Sequence, residues 1–100
     1  DMRESPSLPI FSMLKNAGAD MDFYDPQISS IPEIRKYPEL QGDQSIDLAE
    51  QDLGHYDAII ITTDHDDVDY KKIAKEGRLV IDTRNIMDRT GNLNENVVKA

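Results

Sequence analysis

Apolar positions in this chain follow two rhythms, and each predicts a different kind of element. Leu8, Ile10, Phe11, Met13, Leu14 and Ala17 cover one broad face at helical spacing, which predicts a helix over residues 6–17. Ser5 suits its N-cap, Pro6 its first position and Gly18 the residue just past its end. Pro9 falls in the first turn, where its missing N–H forfeits at most one early bond. Ala19, Met21 and Phe23 then alternate with Asp20, Asp22 and Tyr24, the two-residue period of a short strand that Asp25-Pro26 ends. Residues 26–43 carry Pro26, Pro32, Pro38 and Gly42 among polar neighbours and predict an irregular excursion, and residues 45–53 a short helix. The continuous run at residues 58–62, β-branched from Ile59 onward, has the form of a strand buried on both faces, and residues 79–81 form a second. Between them, residues 66–76 predict a helix capped by Asp66 or Asp67 and stopped by Gly77. The tail from residue 85 onward is polar, with weak apolar content at Leu93, Val97 and Val98.

Helices alternating with short apolar strands predict an α/β fold, a Rossmann-like three-layer sandwich on a mostly parallel sheet. A helix-first order is unusual there. It leads to the expectation of a preceding strand in a longer parent, with the gap filled by Val97-Val98 or by a neighbouring chain.

At 100 residues the chain is long enough for one domain with a modest core. It has no cysteine, which excludes a disulfide scaffold, a thiolate zinc site and a thiol nucleophile within these residues, and agrees with a cytoplasmic setting. No apolar run approaches the roughly 20 residues that span a bilayer. A net charge of −9 argues against nucleic acid or an anionic membrane as partner. Against that background each of the eleven Lys and Arg residues is informative, above all where the backbone does not favour a cation.

Arg3 is such a case, because it stands just ahead of a helix start that already carries partial positive charge. Either an anion lies between them, or Arg3 pairs with Asp1, Glu4 or Asp25. Arg84 follows the last apolar strand, and in open parallel sheets ligands bind outside the carboxyl ends of strands. Two arginines bordering one crevice would suit a phosphorylated ligand; the alternative for Arg84 is pairing with Asp82 or Asp88. "TTDHDDVD" invites a metal assignment, but it has no Gly at the sixth loop position and no Glu at the twelfth. It reads better as a solvated helix start, and no metal is expected. Asp25 ends a strand as the ribose-binding acid of a dinucleotide fold does, yet no GxGxxG occurs anywhere, so Asp25 is expected to cap the Pro26 turn.

Taken together, "DMRESPSLP", "YDP", "IIITTDH" and "DTRN" resemble the C-terminal, UDP-sugar-binding domain of the UDP-glucose/GDP-mannose dehydrogenase family, over residues 1–88. The resemblance implies a parent whose N-terminal domain binds NAD and whose central helices make a dimer. It also implies oxidation of a sugar C6 alcohol to a carboxylate through a thiohemiacetal on a cysteine, in the service of polysaccharide biosynthesis. By motif, Arg3 is carried over as a cofactor-binding residue on the NAD side of the cleft and Arg84 as a substrate-binding residue. Glu4, Ser5 and Pro6 shape the helix start. "DTRN" and "TTDH" lean towards UDP-N-acetylhexosamines, with UDP-glucose the other candidate. The family's catalytic Cys, its assisting Lys and Asn, its glycine-rich loop and its substrate-binding Lys have no counterpart here, so these 100 residues alone are expected to be inactive. The rival reading is a stand-alone regulatory module of the receiver type. It requires a Lys after the last strand, where Asp82-Thr83-Arg84 stands instead.

Overall fold

The computed structural model describes residues 7–26, 44–63, 65 and 67–100. They fall in two compact units, Asp1–Leu48 and Ala49–Ala100. In the first unit, helix α1 runs over Ser7–Asn16. Leu8, Phe11 and Ser12 are its buried side chains, whereas Met13, expected on the apolar face, is 69% exposed. The helix ends as the sequence predicts. Gly18 takes a φ of +95°, its N–H donates to the Lys15 carbonyl, and the Ala19 N–H reaches the Leu14 carbonyl. That paired return is a Schellman turn, whose left-handed residue favours glycine. Phe23 packs edge-on to Phe11 with centroids 5.9 Å apart.

The strand expected over residues 19–24 reduces to a single parallel bridge between Phe23 and Ser45. Ser45 has a further tie in this unit: its hydroxyl accepts from the Asp25 N–H at 2.9 Å. This engagement, with a turn at residues 48–50, replaces the helix expected over residues 45–53. In the second unit Leu53–His55 form one 3-10 turn, capped by the Asp52 carboxylate through the Gly54 N–H.

The sheet belongs to the second unit. Strands β1 (Ile59–Ile61), β2 (Val80–Asp82) and β3 (Val97–Lys99) lie in that order and pair in parallel, with Ile59 beside Val80 and Val80 beside Val97. With helices α2 (Tyr70–Glu76) and α3 (Ile86–Arg89) between its strands, this is the Rossmann-like α/β class that the alternation predicts. Val80 and Met87 are fully buried and Ile61, Tyr70, Ile73, Ala74 and Ile86 nearly so, forming the core.

Three further expectations need correction. Neither apolar run is buried throughout: β1 is buried only at Ile61, with Ile59 and Ile60 half-buried, and in the second run Leu79 is exposed and Ile81 half-buried around buried Val80. Helix α2 starts at Tyr70 with Asp69 as its cap, not at Asp66 or Asp67: the Asp69 carboxylate accepts from the Lys72 N–H. The tail does form a strand, but on the β2 side, at the opposite edge from β1. It therefore occupies no central gap. Asn96 anchors it, donating from its amide to the carbonyls of Ala74 and Gly77 at the end of α2.

Candidate functional site

The carboxyl ends of β1 and β2 are tied together by Thr83. Its N–H and its hydroxyl both donate to the Ile61 carbonyl, at 3.1 and 2.6 Å. Beyond this tie the "DTRN" motif makes a compact loop into α3. Asp82 is 1% exposed, and its two carboxylate oxygens accept from the backbone N–H groups of Arg84 (3.0 Å) and Met87 (2.9 Å). The first turn of a helix leaves N–H groups without intrahelical partners, and a side chain at the N-cap normally receives one of them. Here the cap position is Asn85, in the left-handed region at φ 58° and making no side-chain cap bond. Asp82 performs the capping from the strand, three residues earlier.

The Asp82 carboxylate faces these backbone amides, and Asp88 Oδ2 meets Lys99 Nζ at 3.0 Å. Arg84 is exposed at the carboxyl end of β2, where ligands of parallel sheets bind. Arg89 comes from the end of α3 and folds back over the loop. Its Nε donates to the Asn85 carbonyl (3.3 Å) and its Nη2 to the Arg84 carbonyl (3.1 Å). The buried Tyr70 hydroxyl accepts from the His65 N–H and donates to the His65 carbonyl, both at 3.0 Å. His65 is thereby held by its main chain, beside half-buried Thr62 and Thr63.

Arg3, Asp64 and Asp66 lie outside the described residues, and so does the crevice expected between Arg3 and Arg84. Among the described residues, no group of three His, Asp or Glu could hold a metal ion. None of their helices is long and apolar enough to cross a membrane. Asp25 engages Ser45 through its main chain. In the first unit a hollow of about 140 Å³ lies among Phe11, Lys15, Met21, Asp22, Phe23 and Gln44, below the few hundred Å³ of a typical ligand pocket.

The family model for the UDP-glucose/GDP-mannose dehydrogenase family, UDP binding domain, matches residues 1–89. The chain belongs to this family. The match takes in Arg3, Arg84 and the whole "DTRN" motif. A UDP-N-acetyl-D-mannosamine dehydrogenase of Methanococcus maripaludis is 30% identical over 98 residues, covering 90% of this chain. The chain spans about one-fifth of that relative's length. No solved structure matches it. Thr83, Arg89 and Tyr70 are the contributors that sequence reasoning passed over. Thr83 lies inside the quoted motif, and Arg89 stands four residues after Asn85, one helical turn away.

Proposed function

We propose that residues 1–100 form the sugar-nucleotide-binding domain of an NAD-dependent UDP-sugar 6-dehydrogenase, with a UDP-N-acetylhexosamine or UDP-glucose as substrate. The observation that carries this reading is Arg84, held at the carboxyl end of β2 on a loop shaped by a buried carboxylate. A guanidinium there can pair with phosphate oxygens by charge-assisted hydrogen bonds. The family match supports the nucleotide, and the likeness to a UDP-N-acetyl-D-mannosamine dehydrogenase supports the N-acetylhexosamine branch.

The domain's task is to hold one end of the substrate while chemistry proceeds at the other. Binding energy from a non-reacting part of a substrate can align its reacting carbon. Arg84 binds the nucleotide-sugar, and Arg3 takes the cofactor side of the cleft. Hydride acceptance is what NAD supplies when bound. This chain has no glycine-rich turn to cradle the dinucleotide, so another domain of the parent holds it, together with the catalytic groups. The parent works in the cytoplasm as a homo-oligomer, and the isolated chain is inactive.

The test is a turnover screen of the intact enzyme with NAD and UDP-glucose, UDP-GlcNAc, UDP-ManNAc or GDP-mannose, following formation of reduced cofactor. Oxidation of a UDP-sugar, with two reduced cofactors per sugar, is the expected result. Turnover of GDP-mannose alone, or of none of the four, would contradict the proposal.

A further inference from the structure

Arg89 bonds to the loop backbone at the two residues that set the direction of Arg84. Its Nη2 holds the carbonyl of Arg84 itself, and its Nε the carbonyl of Asn85, the left-handed residue at which the chain turns into α3. From the other side, the Asp82 carboxylate holds the Arg84 N–H. The peptide groups on both sides of the Arg84 Cα are therefore restrained by side chains, one buried and one at the surface. A planar guanidinium fork can hold two acceptors in fixed relation, which a lysine ammonium, as a point charge, does not reproduce. The fork closes a short circuit, from the last residue of α3 to the residue two places ahead of its first turn.

We infer that Arg89 is a positioning residue for the sugar nucleotide, acting through Arg84 by bracing its backbone. This rests on the reading of Arg84 as the substrate-binding residue. A braced loop presents its guanidinium with less conformational freedom to lose when ligand binds, and such preorganisation appears as affinity. Arg89 is exposed, so its replacement leaves the core intact.

The experiment is a double-mutant cycle in the intact dehydrogenase, with Arg89→Ala, Arg84→Ala and the double variant assayed for KM of the sugar nucleotide and for kcat. Loss of the brace is expected to raise KM by about three- to tenfold, the range of one or two modest hydrogen bonds. Loss of uniform binding leaves kcat within about twofold. In the Arg84→Ala background, Arg89→Ala should add less than about twofold, because nothing remains to be positioned. An equal rise in both backgrounds, or no rise in the parent background, overturns the inference. Amide hydrogen exchange provides an independent readout: Arg89→Ala should speed exchange in residues 83–87 and leave α2 unchanged. Unchanged exchange in that segment also overturns it. If Arg84→Ala leaves KM unaltered, the substrate-binding reading fails, and the exchange rates then decide the brace by themselves.

Discussion

Replacing Asp82 with alanine removes the acceptor for two backbone N–H groups at once. The Met87 amide is buried, and leaving such a donor without its acceptor costs about 1–3 kcal/mol. The Arg84 amide is only partly buried, and water can compensate it in part, adding about 1 kcal/mol. The sum is about 3 kcal/mol. Small domains have a total stability of about 5–15 kcal/mol, so this is a large share. For a chain of 100 residues it corresponds to a fall in Tm of roughly 12–24 °C. Asp82→Asn separates the two bonds. Its amide oxygen keeps one N–H while its NH2 group is set against the other, for a loss of about 1–2 kcal/mol. Urea unfolding followed by circular dichroism measures both variants against the parent, provided the slope with urea stays constant. The order parent, Asn, Ala in falling stability is the prediction. If both variants lie within about 0.5 kcal/mol of the parent, the carboxylate does not organise this loop and the account of the site is wrong.

Arg84→Ala in the intact enzyme should raise KM for the sugar nucleotide by roughly five- to a hundredfold, the loss of a charge-assisted bond, with far less effect on kcat; steady-state kinetics decide it. Arg3→Ala should act on the KM for NAD in the same assay, and a change confined to thermal stability would return Arg3 to its salt-bridge alternative. Gly77→Ala should destabilise by about 1–3 kcal/mol through overpacking, because a Cβ there would lie 2.7 Å from the Ile73 carbonyl and 2.9 Å from Val80 Cγ2. The φ of −66° at Gly77 suits any residue, so the cost is steric, and thermal melts of Gly77→Ala should show it.

What could be read from residue order follows from where the deciding interaction lies. The runs at β1 and β2 were legible because β-branched side chains state their preference locally. Gly18 was legible because few other residues tolerate its φ of +95°. The start of α2 was not, since Asp66, Asp67 and Asp69 are equally good caps by composition. In three dimensions it is Asp69 that accepts from the Lys72 N–H, while the Tyr70 hydroxyl bonds to the main chain of His65. Strand β3 is three residues long, and its anchor is the Asn96 amide on the carbonyls of α2. No periodicity announces that. At the site, Arg84 stood out as a cation past a strand end. That the Asp82 carboxylate receives the Arg84 and Met87 N–H groups, around an αL residue at Asn85, is a matter of backbone path that residue types alone do not specify.

The loop that follows β2 is held here to be where the nucleotide end of the substrate rests. Amide hydrogen exchange on the intact enzyme, with and without saturating UDP, examines that most directly. Slower exchange is expected in residues 83–87, and in residues 62–65 across the Thr83 tie. Protection elsewhere in the enzyme, with both segments exchanging as they do without UDP, would contradict it.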